Sequence, residues 1–464
     1  MTDSSTTYDT VIIGAGMSGF GAGIRLAMYD KKVCLLEQHS VWGGLNSFYR
    51  QGGRQFDVGL HAMTNFAPKG QKRGPLPTIL RQLRLKWEDF DLHEQMQSKI
   101  TFPDKQLRFT NDVEFLKASV KDQFPEHVDA FTKLCHMVET HDDSHLPSDF
   151  VSAKVKVSAV IPSPLLVDMI FCPLMFYGSS TEHDMDWNQF VIMFKSVYFE
   201  GFSRPHAGVR KILSLLRKTY VDRGGEFRTK ASVKAIKALP EGGAIVILDS
   251  GEEIRAKKVL SSAGLPETKK LLGMDAPASD IGALSFVESI FCLNKYPKEL
   301  DINATIEFFS HQNDFRYQRS EELVDYSSGI LCCPNNFQDP EELNEGMLRL
   351  THIANPHLWK SLREENMERY QAEKNLMVER ELEGLKKIIP SFSEHIEYVD
   401  TFTPATIERY TRRLQGAVYG SPMKVGSGDI GVKDVYLCGT DQGYLGIVGS
   451  LLSGIVMANK YALV

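Results

Sequence analysis

Residues Val11 to Ala27, VIIGAGMSGFGAGIRLA, run from an apolar strand through a glycine loop into a helical pattern. Gly14, Gly16 and Gly19 fit G-x-G-x-x-G, and Gly23 follows four residues later on the same helix face. Gly14 allows the tight turn, Gly16 lets backbone reach a pyrophosphate, and Gly19 lets helix and strand pack closely. Ala15, Met17 and Ser18 belong to the same turn, whose helix N-terminus offers unpaired N–H groups and a partial positive charge to phosphates. A second apolar strand, Lys32 to Leu36, ends at Glu37, eighteen residues beyond Gly19. That carboxylate, with Gln38 beside it, is at the distance from which an acid accepts hydrogen bonds from the ribose of an adenosine. The stretch predicts an α/β, Rossmann-like fold that binds a dinucleotide.

Outward from this stretch, composition sets few restrictions. The 464 residues are 42% hydrophobic and 24% charged, an ordinary globular balance for two or three domains. A formal charge of −6 gives no basic footprint for nucleic acid. Seven cysteines, with no C-x-x-C and with Cys332 and Cys333 adjacent, read as thiols in a reducing compartment. The polar start MTDSSTTYDT lacks a signal segment, so a cytoplasmic location is expected. His141 and His145 are four apart in HDDSH, but no third ligand accompanies them and no metal site is expected.

Gly43-Gly44 lies six residues after Glu37 in EQHSVWGGLNS, followed by Leu45. This E-x5-GG arrangement resembles the flavoprotein superfamily of amine oxidases and carotenoid desaturases, and implies that the cofactor is FAD. Further on, Asp57-Val58-Gly59-Leu60-His61 matches a D-x-G stretch that in the resembling family passes beside the isoalloxazine. Gly59 is read as letting backbone approach the ring, with Leu60 and His61 as neighbours of flavin or substrate. His61 is the candidate catalytic residue; a structural histidine is the alternative. Arg204-Pro205-His206-Ala207-Gly208 resembles the family's P-x-GG before a helix, with Ala207 replacing the first glycine. The family resemblance also sends backbone at Ser232-Val233 to the adenine.

The C-terminal segment carries the resemblance furthest. Thr403-Pro404-Ala405-Thr406, Arg409-Tyr410 and Gly416-Ala417-Val418-Tyr419-Gly420 resemble the T-P-x-T…R-[YF]…G-x-x-Y-G of phytoene desaturases, carotenoid isomerases and retinol saturases. Gly439-Thr440-Asp441 ends an apolar strand, and Gly446-Ile447-Val448 opens a helix. The resemblance implies that Gly439 and Asp441 meet the ribityl or pyrophosphate region. It also implies that the helix N-terminus at Gly446 to Ser450 points at the flavin pyrimidine, where its partial charge stabilises a reduced-flavin anion.

The expected architecture is therefore an FAD-binding α/β domain assembled from residues 1–68, 203–270 and 401–464. An α+β substrate domain is interposed as 69–202 and 271–400. The resemblance implies a lipophilic isoprenoid substrate of carotenoid or squalene type, with desaturation by hydride transfer as the first expectation. Isomerisation or saturation, dehydroxylation, a flavin amine oxidase and a non-catalytic flavin-fold scaffold remain alternatives, and the electron acceptor stays open. Asp57 to His61 is closer to isomerases and saturases than to desaturases. Val155 to Tyr177 is the most apolar stretch, but Pro162, Pro164, Pro173 and Asp168 argue against a membrane span. It is read as core, tunnel lining or a patch that dips into a leaflet, and peripheral membrane contact is expected. Trp187, Phe190, Phe194, Tyr198, Phe199 and Phe202 are read as contacts for a long hydrocarbon.

Overall fold

A computed structural model describes residues 7–59, 61–142 and 150–464. Leu60 and His145 lie outside the described residues. The fold is mixed α/β with a Rossmann-like sheet, as the opening stretch predicts. That sheet runs Val233–Ala238, Ala244–Leu248, Glu253–Ser261, Thr7–Ile13, Val33–Leu36 and Glu226–Arg228, so distant stretches of chain meet in it. Glu253–Ser261 divides along its length: its first half is antiparallel to Ala244–Leu248 and its end is parallel to Val435–Leu437. Thr7–Ile13 is parallel to both its neighbours. Strands buried on both faces read as continuous apolar runs, which is why Val11 to Ile13 and Val33 to Leu36 show no alternation.

Close approach explains the glycines of the first helix, Met17–Ala27. A Cβ on Gly19 would sit 2.0 Å from the Gly14 carbonyl oxygen, so helix and strand touch there through backbone. The C-terminal helix, Gly446–Met457, crosses the first at a second bare contact. Cβ atoms on Gly21 and Gly454 would meet Leu451 O at 2.6 Å and Ser18 O at 2.0 Å. The last helix is thereby locked beside the first, and both N-termini open toward the same region.

The second large sheet runs Ile396–Phe402, Ser285–Leu293, Gly346–Ala354, Val324–Cys332, Ile306–Ser310, Ser98–Thr101 and Gln106–Phe109. The last two strands fall in the stretch 69–202 of the expected substrate domain. At four residues each they are too short for a period to show. Helices Pro356–Glu365 and Met367–Leu385 replace the one long helix that charge and length suggest. The break is at Asn366, whose side chain accepts the Arg369 N–H and caps the second helix. That helix buries Tyr370, Met377, Glu381 and Leu385, whereas Leu376 is exposed.

Val155 to Tyr177 folds as two pieces, helices Ala153–Ser158 and Pro164–Gly178. Pro164 sits in the first helical turn, where no N–H is needed. Phe171, Leu174 and Phe176 are buried in an aromatic core, so the body of this stretch is no leaflet-facing patch. Trp187, Phe190, Phe194, Tyr198 and Phe202 also pack inward, with Phe190 on Phe171 at 5.0 Å and Phe194 on Tyr198 at 4.9 Å between centroids. None of these five lines the cavities described below, whereas Ile192 and Met193 of helix Trp187–Phe194 do.

Candidate active site

A cavity of about 830 Å³ follows the glycine loop of the first sheet. Gly14, Gly16, Met17, Ser18, Glu37, Gln38, Gly43, Gly44, Leu45 and Val233 line it. Ala15, Gly19, Gly439 and Asp441 do not. Glu37 is buried at the end of its strand, with Oε2 accepting the Ala15 N–H at 3.0 Å and Oε1 the His39 N–H at 2.9 Å. Burial pushes its carboxyl above the ordinary value, while the His39 and Ala15 N–H groups pull the other way. Two carboxylate oxygens with spare lone pairs, fixed by backbone, suit a ribose.

The fit of a dinucleotide is visible at Gly16 and Gly44. A Cβ on Gly16 would have only Gly43 O for a neighbour, at 3.9 Å, and one on Gly44 only the Gly16 Cα, at 3.8 Å. Here absent side chains leave room in the cavity and are not replaced by protein packing. Arg50, Lys270, Lys374, Arg412 and Arg413 also line this cavity and match the charge of a diphosphate.

Asp441, expected at the ribityl or pyrophosphate region, is engaged by protein groups. Its side chain is 1% exposed, and its oxygens accept Leu265 N–H at 2.6 Å and Ser421 N–H at 2.9 Å, with Arg413 Nη1 at 3.3 Å. Burial would raise its carboxyl, but Arg413 and Lys424 outweigh it and hold the group below the usual carboxylate range. The residue ties three chain segments together, while its neighbour Thr440 and the partner Arg413 reach the cavity. Gly439 is likewise internal: its N–H donates to Ser453 Oγ. Gly59 is the glycine expected to let backbone approach a ring. It does line a cavity, but a Cβ there would strike the Leu45 carbonyl oxygen at 2.4 Å, so protein backbone alone demands the glycine.

A second cavity, about 480 Å³, shares Leu45, Asn46, Val58, Ile407, Thr440 and Ser450 with the first, so the two communicate. Gly446, Ile447 and Val448 line it, bringing the N-terminus of the last helix to the junction. Its walls are largely apolar, with Phe176, Tyr177, Phe286, Ile330, Val418 and Tyr419 prominent. Thr64, Asn65, Lys195, Ser196 and Glu200 form a polar group on the wall. Asn65 there holds a left-handed φ of 61°, tied by its N–H to Ser196 O and by Nδ2 to Glu200.

His61, Glu288 and Thr351 also line this cavity. His61 Nε2 is 3.2 Å from Glu288 Oε2 and 3.1 Å from Thr351 Oγ1. Glu288 and Thr351 are register partners on adjacent strands, and Arg349, two residues before Thr351, donates Nε to Glu288 Oε1 at 2.6 Å. Burial acts to raise the Glu288 carboxyl, but Arg349 and His61 hold it below its ordinary value. Glu288, Arg349 and Thr351 escaped the sequence reading. For two of them a signal was present: Glu288 is the one acid in SFVESIFCL and Arg349 the one arginine in GMLRLTHIA, each inside a largely apolar strand. His141, by contrast, lies outside both cavities, with Nε2 on Asn188 Oδ1 at 2.6 Å.

Comparisons with known proteins agree with this geometry. A family model described as an NAD(P)-binding Rossmann-like domain matches residues 12–73. The chain is 23% identical to prolycopene isomerase of Arabidopsis thaliana, over 98% of this chain and 82% of that one. It is 24% identical to all-trans-retinol 13,14-reductase of Danio rerio, over 97% and 86%. Among solved structures, an oxidoreductase from Methanosarcina mazei matches with TM-score 0.67 at 15% identity, covering 97% of this chain and all of that one. A putrescine oxidase triple mutant matches with TM-score 0.64 at 16% identity, covering 98% of each chain. The fold and the glycine-loop cavity thus define a Rossmann-like, dinucleotide-binding protein. Within that class, the relatives support the FAD-dependent carotenoid isomerase and desaturase-like family, with FAD as cofactor.

Proposed function

We propose that this protein adds hydrogen to, or changes the geometry of, a conjugated double bond in a lipophilic isoprenoid, with His61 handling the proton. The supporting observation is the apolar cavity opening off the dinucleotide cavity, with His61 and Glu288 hydrogen-bonded on its wall. When bound, FAD supplies the hydride donor or acceptor. A double bond that receives hydride at one carbon needs a proton at the other, and His61 on the cavity wall is a group that can exchange it. Phe176, Phe286 and Tyr419 hold the chain and exclude water, so positioning supplies much of the remaining effect. Desaturation, the first expectation from sequence, leaves an acidic proton that needs little help. The His61–Glu288 pair therefore favours saturation or isomerisation, in line with the names of the two curated relatives.

In this reading FAD is held by residues 1–68, 203–270 and 401–464, and substrate chiefly by 69–202 and 271–400. Gly14, Gly16, Gly19, Glu37, Gly43, Gly44 and Gly446 would serve the cofactor. Contact with a membrane is assigned to the rim of the helical region and not its body. Phe150, Val151 and Val155 are 59%, 38% and 69% exposed, with the exposed Lys156 beside them. Apolar side chains next to a lysine suit a headgroup boundary. No helix among the described residues is long and apolar enough to cross a membrane. The test is mass spectrometry and isomer analysis of lipids from a host that makes the protein and is fed retinol or prolycopene. A two-hydrogen gain or an altered double-bond geometry is expected; unaltered lipids from flavin-loaded protein would count against the reading.

A further inference from the structure

Glu288 faces its neighbours with both oxygens occupied. Oε1 takes the Arg349 Nε–H at 2.6 Å, while Oε2 lies 3.2 Å from His61 Nε2 and 3.4 Å from Thr351 Oγ1. Arg349 is anchored in turn, its Nη2 donating to Asp57 O at 3.0 Å and Val58 O at 2.9 Å. The Arg349 and Glu288 side chains are 1% and 5% exposed. A buried carboxylate clamped by a guanidinium is ionised and can only accept hydrogen bonds. The ring nitrogen it faces must therefore carry the hydrogen. In neutral His61 that leaves the lone pair on Nδ1, which makes no hydrogen bond among the described residues.

We propose that Glu288 is a positioning residue: it fixes His61 as the Nε2–H tautomer, so that Nδ1 is the atom that exchanges a proton with substrate. The proposal rests on the reading of His61 as the proton-handling group. Arg204 Nη1 and Cys332 Sγ approach the His61 carbonyl oxygen at 3.4 and 3.5 Å and hold its backbone. Ring orientation is left to Glu288 and Thr351. Arg349 keeps Glu288 charged, so the carboxylate orients the ring without taking its proton. Where the substrate gains a proton, Nδ1 first takes it from solvent and the imidazolium passes it to the substrate carbon. Where the substrate loses one, the Nδ1 lone pair takes it, and in neither direction do electrons pass through the pair.

The tautomer is read without substrate, by nitrogen NMR of FAD-loaded protein labelled with ¹⁵N-histidine. The His61→Asn spectrum identifies the signal. Wild type should show a single neutral form protonated at Nε2. In Glu288→Gln the side-chain amide offers hydrogen to Nε2, so the Nδ1–H form should appear. Nδ1–H in wild type, or Nε2–H alone in Glu288→Gln, overturns the proposal. The wild-type measurement stands even where the variant fails to fold. With all-trans-retinol as probe, Glu288→Gln should lower kcat by about 10²–10⁴-fold at little changed KM, the range for a disabled proton-transfer group. An unchanged kcat would also overturn it. If wild type turns over no polyene while the Nε2–H tautomer is found, the functional reading fails and the tautomer assignment survives.

Discussion

Asp57 and Arg204, 147 residues apart in sequence, meet at 2.7 Å between Oδ2 and Nη2 with side chains 2% and 10% exposed. Gly208 closes over the pair: a Cβ there would lie 2.0 Å from Asp57 Oδ2, and its φ of 68° favours glycine as well. The acid of the D-x-G-x-H stretch is thus held by the arginine and glycine of R-P-H-A-G. The loop carrying His61 is fixed from below by this contact. Replacing Arg204 by methionine strands a buried charge, and the expected loss of stability is about 3–5 kcal/mol. Urea unfolding of the two proteins checks it; a change under about 1 kcal/mol would mean the pair is neutralised or solvated.

Glu37→Ala removes both acceptors for the Ala15 and His39 N–H groups as well as the ribose partner. Charge-assisted hydrogen bonds contribute about 1.5–3 kcal/mol each, so FAD retention should fall by two orders of magnitude or more. Flavin content after gel filtration reads the effect directly. Full occupancy in the variant would remove Glu37 from the cofactor site.

Glu381 predicts a pH dependence of stability. Both its oxygens are buried on a helix packed behind the second large sheet, with the Ser289 hydroxyl as the polar group beside them. Burial pushes its carboxyl up to about 8, with Ser289 opposing and Glu288 adding a little. Its folded-state value lies above the unfolded one, so the unfolded chain binds fewer protons between the two. Stability from this group is intact at acid pH and declines as pH rises toward 8. Glu381→Gln should therefore gain on wild type between pH 5 and 8, by at most about 1.4 kcal/mol per pH unit. Parallel melting curves at pH 5 and pH 8 test this, and an equal difference at both would refute it.

Membrane contact through the rim gives a paired test. Phe150→Ser with Val155→Ser should release the protein from liposomes with flavin still bound, because both side chains are exposed. Phe171→Ser should instead cost about 3–5 kcal/mol of stability, the range for an emptied aromatic core site. Wild type that never sediments with liposomes would remove the contact altogether.

The dinucleotide half of the site was legible because its chemistry is local. A glycine loop and an acid at the end of the next strand occupy a few dozen residues, and Gly14, Gly16, Glu37 and Gly44 line the cavity. Asp441 is harder to assign, because a buried acid serves backbone N–H groups as readily as a ligand, and sequence does not separate the two. Glu288 and Thr351 were hidden for a different reason. They meet His61 only through strand register and a loop more than two hundred residues away. The apolar stretch at 155–177 carries no mark of what it packs against, since core, tunnel and membrane all select the same side chains.

The most direct measurement is anaerobic single-turnover product analysis of the reduced, flavin-loaded protein mixed with all-trans-retinol or prolycopene, comparing wild type with His61→Ala. Saturation would reoxidise the flavin, whereas isomerisation would leave it reduced. The account predicts that wild type converts a polyene to a reduced or isomerised product. It also predicts that His61→Ala, still holding FAD, slows conversion by about 10²–10⁴-fold. Conversion in His61→Ala at the wild-type rate would contradict the assignment of the proton to that residue. Failure of flavin-loaded wild type to alter any polyene would contradict the account as a whole.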